Sequence, residues 1–590
     1  MTPAGARRFP WRALLLCWLV IAFALAAGFR AQIAEGSFTD PDDQMRLLQV
    51  RDLIAGQSWF DLTQHRINPP EGLAMHWSRL ADLPILAVLL PLRALVSPPL
   101  AEQITLVVVP MLTLLALMIA TTLLVRRLFG PGREFTLVAP LLLLSAPIVV
   151  VQFFPMRIDH HGWQMVSAAC ALVALLDRAP WRSGLTAGLA LAAYMAISIE
   201  GLPFVAAAAA SAGLLWALDI DRSRRFEFLM ASLAVAALGC FALASPGDWR
   251  SLACDALAPG HVVALGVAAF GVSFAVRATT QASPAVRLAA LSAVAMLCAA
   301  TFLGVAPQCV GSPFGTMDPV VARFWYQNVS EGLPVWRQTF PAAVGMTAFP
   351  LVGCIGTFFV VRTARSAETR RRWLLVLLIC IAACLTGLLV RRTAGVAHIA
   401  ALPGAFAIML WLRGWISARV RPALQPVAGA VALVGLSPVM PVSAAAAMAD
   451  AGSPPPLPAV AVKPVQCDVY CALDRLAKMP RMTILTAIDA GPHIVGRTPH
   501  SVHASGYHRL QAPMRTTIDV FTAEPAVAEH RMRATGLRYL LIAPDASEAT
   551  VFADLAPKGL MTALAAGRTP RWLEPVDLGS PELKLYRVRP

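Results

Sequence analysis

The sequence predicts a polytopic α-helical membrane protein of about 13 spans, followed by a small soluble α/β domain at the C-terminus. Of the 590 residues, 57% are hydrophobic and only 14% are charged. Soluble domains usually carry about a quarter charged residues. Apolar runs of roughly 17–25 residues, each long enough to cross a bilayer, recur through most of the chain. Beyond residue 449 the chain becomes proline-rich and then alternates as exposed strands do.

The spans are predicted from the apolar runs and are oriented by the arginines in the short connecting loops. The first covers about residues 12–29. The segment 82–97 contains Arg93 and is predicted to be an interfacial or partly buried helix. The other spans are predicted at about 103–125, 135–153, 162–176, 183–199, 202–219, 228–245, 258–276, 288–304, 342–361, 373–390, 396–413 and 424–446.

Basic loops define the predicted orientation in the plasma (inner) membrane. Arginines at 126, 127, 222, 224, 225 and 370–372 are placed on the cytoplasmic side together with the N-terminus. Arg391 and Arg392 are the exception, because they fall on the outer side. The arginine-rich loops account for the net charge of +15. No nucleic-acid-binding motif accompanies them, so no nucleic-acid partner is predicted.

Three segments define the predicted domain organisation: a membrane domain at 1–448, a linker at 449–464 and an extracytoplasmic α/β domain at 465–590. The external loops of the membrane domain are predicted at 30–80, 154–161 and 305–341. In the C-terminal domain, strands are predicted at 482–485, 537–542 and 583–588, and helices at 524–535 and 546–555. Cys467 and Cys471 are expected to form a disulfide if this domain is extracytoplasmic. A zinc site is less favoured, because no second cysteine pair follows.

The first external loop contains three carboxylates within four residues, Asp40, Asp42 and Asp43. One interpretation is a helix start, with Asp40 as N-cap, Pro41 in the first turn and the other acids near the positive end of the helix dipole. The other is binding of a cation, because carboxylates next to hydrocarbon usually bind something. The two interpretations are compatible, since a capping carboxylate still has lone pairs for a metal.

Three further polar elements fall on the same predicted side. The Arg157–His161 stretch offers Asp159 and His161 as ligands for a divalent ion. Adjacent histidines point about 100° apart on a helix, so His160 and His161 are not expected to ligate together. The second element is the turn at 328–334 in the long loop. The third is the pair Arg391-Arg392, whose planar guanidinium groups suit phosphate oxygens.

Together the four elements resemble the catalytic subunit of oligosaccharyltransferase and its bacterial and archaeal relatives. These are GT-C-class membrane glycosyltransferases of roughly 13 spans with a C-terminal extracytoplasmic domain. Asp40, Pro41 and Arg46 match the family's Asp-Pro-x-x-x-x-Arg motif, and Asp159 matches the first residue of its Asp-Asn-Glu motif. The matches to its Ser-Val-Ser-Glu motif and to its late Val-Arg pair are the residues Val329, Ser330, Glu331, Val390 and Arg391.

Two departures accompany the resemblance. The family's Trp-Trp-Asp-Tyr-Gly motif is absent, and the C-terminal domain has a single tryptophan, Trp572, which argues against glycosylation of asparagine in sequons. His161 also stands where the family has a carboxylate.

The resemblance implies transfer of a sugar or glycan from a polyprenyl-phosphate or polyprenyl-diphosphate donor to an extracytoplasmic glycan, lipid or protein acceptor. Mg²⁺ or Mn²⁺ is the expected cofactor, and membrane lipid surrounds the spans. The predicted catalytic residues are Asp40, Asp42, Asp43 and Glu331. The predicted phosphate-binding residues are Arg391, Arg392 and Arg157. The predicted metal ligands are Asp40, Asp159 and His161.

Two other functions remain open from the sequence. One is a transporter or flippase for a lipid-linked or anionic solute, in which carboxylates are expected near the middle of spans. The other is a non-catalytic scaffold whose C-terminal domain binds a partner. That domain contains the histidines His493, His500, His503 and His508, which are interpreted either as ordinary polar residues or as a face that touches sugar or acceptor.

Overall fold

The computed structural model describes residues 9–130, 137–244, 253–309, 317–451, 467–544 and 546–590. The helices of the first half are α1 (Trp11–Gly28), α2 (Arg30–Glu35), α3 (Pro41–Ile54), α4 (Leu83–Arg93), α5 (Pro98–Phe129), α6 (Val138–Leu144), α7 (Pro147–Val150), α8 (His161–Leu175), α9 (Pro180–Ile197), α10 (Leu202–Ala217), α11 (Arg225–Ala244), α12 (Pro259–Ala278) and α13 (Pro284–Val305). The helices of the second half are α14 (Pro319–Phe324), α15 (Phe340–Thr363), α16 (Ala367–Leu389), α17 (Ala394–Arg419), α18 (Gln425–Leu436), α19 (Val439–Ala451), α20 (Val469–Leu476), α21 (Gly491–Arg497), α22 (Gln511–Thr522), α23 (Pro525–Ala534), α24 (Ser547–Leu555) and α25 (Leu560–Ala565). The strands are β1 (Thr63–Gln64), β2 (Leu73–Ala74), β3 (Thr483–Thr486), β4 (Ser501–Val502), β5 (Tyr539–Ile542), β6 (Leu573–Val576) and β7 (Lys584–Val588).

These elements form two compact units. The first comprises Met1–Arg30, Ser78–Pro313 and Ser330–Pro454. The second comprises Ala31–Trp77, Phe314–Val329 and Pro455–Pro590. Most of the predicted linker at 449–464 lies outside the described residues, and the predicted domain boundaries stay predictions.

The first unit is helical and belongs to an integral membrane protein. Among the described residues, nine helices are long and apolar enough to cross a bilayer, and the bent pair α18–α19 would add a tenth. The predicted count of about 13 is higher because other predicted spans form shorter or more polar helices. The segment 135–153 breaks before Pro147, α8 has only 15 residues, and α9 has a tryptophan and an arginine in its first turn. The segment 82–97 forms the short helix α4.

Close helix contacts hold the first unit together. The helices α15 and α17 approach each other at glycines, and a Cβ placed on Gly404 would lie 1.8 Å from the backbone oxygen of Gly353. Small residues permit such an approach between membrane helices, where packing replaces the hydrophobic effect as the driving force. A larger side chain at Gly404 would therefore force the two helices apart.

One end of the helices in the first unit carries an ion-pair network. Asp221 contacts Arg225 at 3.1 Å and Arg371 at 2.7 Å, and Arg371 also contacts Glu368 at 2.8 Å. Arg225 donates to the backbone oxygen of Asp177 at 2.8 Å. The network joins the α8–α9 and α10–α11 connections to the start of α16. The predicted site residues 159, 161 and 391 lie at the opposite ends of α8 and α16.

Two disulfides are formed among the described cysteines. Cys254 and Cys309 pair within the first unit, and Cys467 pairs with Cys471 in the second. The second pair was an open prediction from the sequence. The first was not predicted, because 55 residues separate its cysteines.

The second unit contains a five-stranded mixed sheet with the order β4-β3-β5-β7-β6. The strand β3 is parallel to β4 and β5, whereas β7 is antiparallel to both β5 and β6. The predicted strands and helices of the C-terminal segment correspond to β3, β5, β7, α23 and α24, which confirms the predicted α/β class. The helix α3 packs closely on α21, where a Cβ placed on Gly496 would lie 2.1 Å from the Gln44 side chain.

Candidate metal and phosphate site

A cluster of candidate metal ligands in the first unit lies at the start of α8. Asp159 holds one imidazole on each carboxylate oxygen: His160 Nδ1 lies 2.5 Å from Oδ1, and His161 Nε2 lies 3.3 Å from Oδ2. All three side chains are buried. Ligand atoms of all three lie within 4.8 Å of one another, so the three are candidates for binding one ion.

The pairing of the two histidines differs from the expectation that they diverge. His160 is the N-cap of α8 and already has helical backbone angles, with φ −74° and ψ −16°. Both rings nevertheless contact the Asp159 carboxylate, and their centroids lie 4.4 Å apart with an interplanar angle of 37°. His160 thus joins His161 in the candidate ligand set.

Gln164 fixes the orientation of the His161 ring. The ring Nδ1 lies 2.9 Å from Gln164 Oε1, one helical turn along α8. An amide oxygen accepts hydrogen bonds only, so Nδ1 donates to Gln164 and Nε2 is the ring nitrogen that faces Asp159. Histidines that bind metals are commonly oriented by such a partner on the other ring nitrogen.

The donor set of this cluster fits a divalent cation. Two ligands that each lie about 2.1 Å from an ion, at right angles, are about 3 Å apart. The distance of 3.3 Å between Asp159 Oδ2 and His161 Nε2 is close to that value. Oxygen and imidazole ligands suit Mn²⁺ and Zn²⁺, and the carboxylate also suits Mg²⁺.

Charged residues surround this cluster within the first unit. The imidazole of His161 lies within electrostatic range of Glu331, Glu200 and Arg392. Arg392 Nη1 contacts Glu200 Oε1 at 2.5 Å, and its Nη2 lies 3.9 Å from Glu331 Oε2. The predicted residues Asp159, His161, Glu331 and Arg392 are thus part of one electrostatic environment.

The neighbouring Arg391 makes different contacts. Its Nη1 lies 3.2 Å from Ser330 Oγ and 3.3 Å from Gln338 Oε1, and its backbone N–H donates to Leu333. Gln338 in turn donates to the backbone oxygens of Ser330 and Leu333. Arg391 therefore fixes the turn that carries Glu331, whereas Arg392 faces the acidic residues.

The third predicted phosphate ligand, Arg157, is buried. In the sequence it comes just before Asp159. Its Nη2 donates to Gln152 Oε1 at 2.8 Å. The contact orients the guanidinium group on the loop that leads to Asp159.

The predicted carboxylates Asp40, Asp42 and Asp43 belong to the second unit, at the start of α3. The Asp40 side chain accepts from the N–H of Asp42 at 2.9 Å, which makes it the N-cap of α3. Asp42 accepts from the hydroxyl of Tyr507 at 3.1 Å, whereas Asp43 is fully buried. The capping interpretation of Asp40 is therefore correct, and a catalytic role for these acids stays a prediction.

The histidines of the C-terminal segment have separate environments. His500 Nε2 lies 2.7 Å from the backbone oxygen of Leu476, and its Nδ1 accepts from Met482, so this ring supports the fold. Burial lowers the pKa of His493, against the opposing charge of Asp40. The neutral imidazole of His493 is therefore favoured near the cap of α3.

A buried carboxyl pair lies beside the carboxyl ends of β3 and β5. Both oxygens of Glu548 accept backbone N–H groups, from Ile488 at 2.8 Å and from Asp489 at 3.0 Å. Burial, reinforced by the neighbouring Asp489 carboxyl, raises the pKa of Glu548 from 4.5 to about 8. Burial also raises the pKa of Asp489, although the Trp325 side chain donates a hydrogen bond to it.

The raised pKa predicts how the stability of the second unit depends on pH. The folded state binds the Glu548 proton more tightly than the unfolded chain, so stability falls as the pH rises from 4.5 to about 8. Glu548→Gln is expected to reduce this slope, because glutamine does not titrate. The pH dependence of stability is measured by thermal unfolding of the full-length protein, with pulse proteolysis of the second unit as the readout. The control is Glu574→Gln, at an exposed glutamate paired with Arg587. A variant slope equal to that of the wild type would contradict the assignment.

Three residues at or beside the site were missed from the sequence. The contact of Gln164 with His161 could have been predicted, because Gln164 lies one turn after His161 on the same helix. Glu200 is a single acid at a hairpin tip, and its partner Arg392 is 192 positions away. His160 was set aside because it was assigned helical spacing.

Comparisons with family models and with curated proteins find no match for this sequence. Solved structures match its fold. The Archaeoglobus fulgidus oligosaccharyltransferase tethered with an acceptor peptide has a TM-score of 0.64 at 15% identity, covering 98% of this chain and 74% of that one. The archaeal oligosaccharyltransferase AglB from the same organism, in complex with an inhibitory peptide and a dolichol-phosphate, has a TM-score of 0.62 at 14% identity, covering 95% and 72%.

A further structure, the A. fulgidus oligosaccharyltransferase complex with Zn and sulfate, has a TM-score of 0.60 at 13% identity, covering 94% of this chain and 71% of that one. These matches cover 94–98% of this chain. They confirm the resemblance that the sequence motifs indicated. The chain therefore has the GT-C fold of archaeal oligosaccharyltransferase, built on a polytopic helical membrane unit and a C-terminal α/β unit.

Proposed function

We propose that this protein is a membrane glycosyltransferase that moves a sugar or glycan from a polyprenyl-phosphate or polyprenyl-diphosphate donor to an extracytoplasmic acceptor. The observation that carries the proposal is the contact of Asp159 with His161, within electrostatic range of Arg392 and Glu331, in a chain with an oligosaccharyltransferase fold. The cluster combines ligands for a divalent cation with a guanidinium group that suits phosphate.

The chemistry of the proposed reaction explains why these groups belong together. Breaking the bond between a sugar and a phosphate leaves negative charge on the departing phosphate. A bound divalent cation would stabilise that charge as a Lewis acid. Asp159 and His161, with His160 beside them, are the residues of the first unit that would hold it. Arg392 would bind the phosphate oxygens directly, and such preorganised charges are worth most at the transition state.

The other predicted residues have supporting roles in the proposal. Arg391 fixes the turn that carries Glu331, so Glu331 can position the acceptor or the metal. Arg157 would bind phosphate from the loop before Asp159. Asp40, with Asp42 and Asp43 as alternatives, would take the acceptor's proton as general base or would act as a further metal ligand.

The distribution of acidic residues supports an enzyme over a transporter. A transporter of an anionic or lipid-linked solute is expected to carry charged groups near the middle of its spans. In the described helices α5 to α18, every acidic residue lies within the first five positions of its helix: Glu102, Glu227 and Glu368. Glu200 lies just before α10. The acidic side chains of these helices therefore lie at helix ends and not near the middle of the spans.

We propose that the N-terminus is cytoplasmic and that the second unit is extracytoplasmic. The disulfides Cys254–Cys309 and Cys467–Cys471 support this orientation, because disulfides persist in oxidising compartments. The arginine-rich network at the opposite helix ends also supports it, since cytoplasmic loops carry an excess of arginine and lysine.

The proposed function is tested in membranes from cells with and without this protein. Loss of the protein is expected to deplete one glycan and to increase the amount of its lipid-linked precursor, as measured by mass spectrometry of extracted lipids and glycans. Chelation of divalent cations is expected to stop transfer in the complemented membranes, and Mn²⁺ or Mg²⁺ to restore it. Unchanged glycans and lipids would contradict the function, and transfer that resists chelation would contradict the metal role.

A further inference from the structure

Glu200 lies in a 3₁₀ turn, Ile199–Gly201, that joins α9 to α10. The turn is tightly packed, because a Cβ placed on Gly201 would lie 2.6 Å from the Tyr194 ring. Interiors packed at this density leave little room for the backbone to shift. The carboxylate of Glu200 is therefore attached to a rigid segment of backbone.

The carboxylate of Glu200 contacts the guanidinium group assigned to phosphate. Glu200 Oε1 lies 2.5 Å from Arg392 Nη1, and Glu331 Oε2 lies 3.9 Å from Arg392 Nη2. The side chains of Arg392 and Glu200 are 26% and 28% exposed, so solvent reaches the pair without separating it. The positive charge of Arg392 thus faces the two negative charges of Glu200 and Glu331. A phosphate that binds Arg392 therefore has to compete with Glu200.

We propose that Glu200 sets the affinity of the site for a lipid-linked phosphate by competing with it for Arg392. This inference rests on the proposed function. The carboxylate occupies an N–H of the guanidinium group that a phosphate oxygen would otherwise accept, and it repels a phosphate bound nearby. Its charge therefore weakens binding of the spent lipid phosphate, which must leave before another donor enters.

A purely structural role for Glu200 predicts the opposite result. If the ion pair only joined the α9–α10 corner to the α16–α17 connection, removing the charge of Glu200 would leave the side chain of Arg392 less well ordered. Binding of phosphate would then weaken. The sign of the change in affinity therefore separates competition from structural support.

The test uses the full-length protein in lipid nanodiscs, with undecaprenyl phosphate as the probe and Mn²⁺ present. Glu200→Gln keeps the size of the side chain and is expected to lower the Kd about tenfold. Glu200→Asp keeps the charge and is expected to stay within about twofold of the wild type. Adding Arg392→Gln to the Glu200→Gln variant is expected to remove the gain. Inorganic phosphate at equal concentration is expected not to compete with the lipid.

The matched control is Glu227→Gln. Glu227 is a buried glutamate paired with Arg224 at 2.7 Å and with Arg277 at 2.9 Å. An unchanged or higher Kd in Glu200→Gln would overturn the inference, as would equal tightening in Glu227→Gln. Competition by inorganic phosphate would overturn the assignment to a lipid-linked ligand. Failure of the wild-type protein to bind the lipid would instead contradict the proposed function.

Discussion

Replacing Asp159 by asparagine is expected to reduce glycan transfer by at least about 100-fold. The carboxylate places one imidazole on each of its oxygens, and it supplies the negative charge of the ligand set. Asparagine has nearly the same shape but carries no charge, so it leaves the fold intact and weakens the hold on a divalent cation. Product formation in membranes of cells that express the variant measures the effect.

The matched control for this substitution is Asp177→Asn. Asp177 lies beyond the other end of α8 and pairs with Arg127 at 2.8 Å. It has the same chemistry as Asp159 but belongs to the ion-pair network, so its replacement is expected to preserve transfer. Equal losses in the two variants would indicate damage to the membrane unit and would count against a catalytic cluster at Asp159.

Replacing Asp40 by asparagine is expected to abolish transfer while expression stays normal. Asparagine is as good an N-cap as aspartate, so the start of α3 is preserved. The substitution removes only the charge and the basicity, which are the properties that a general base or a metal ligand needs. A residual rate below about 1% of the wild type is expected in the same membrane assay.

The second unit offers a control with the same local structure. Asp468 is the N-cap of α20 and accepts from the N–H of Cys471 at 2.9 Å. Asp468→Asn makes the same chemical change at another helix N-cap of the second unit, and transfer is expected to persist. Undiminished product from Asp40→Asn would reduce Asp40 to its capping role and would remove it from the predicted metal ligands.

The sequence was most informative where chemistry is local. Asp159 and His161 were predicted because an aspartate and a histidine two positions apart follow the end of an apolar run. The fold was predicted from the apolar runs and from a family resemblance based on four short motifs, and the matches to solved structures confirm that fold. Asp40 was predicted to cap α3 because a proline and two acids follow it.

The rest depends on contacts that sequence spacing does not encode. Glu200 meets Arg392 across 192 positions, and Cys254 meets Cys309 across 55. Arg391 and Arg392 are adjacent and chemically identical, yet one holds a turn and the other faces carboxylates. His160 and His161 were expected to diverge, yet both rings contact Asp159, because side-chain rotation is not set by backbone spacing.

Pulsed electron paramagnetic resonance of Mn²⁺ bound to the purified full-length protein tests whether Asp159 and His161 form a metal centre. A bound ion with nitrogen hyperfine coupling from imidazole is expected. His161→Gln is expected to weaken that coupling, and Asp159→Asn to remove binding. Mn²⁺ that shows no nitrogen coupling, or that binds equally well to Asp159→Asn, would contradict a metal centre at Asp159 and His161.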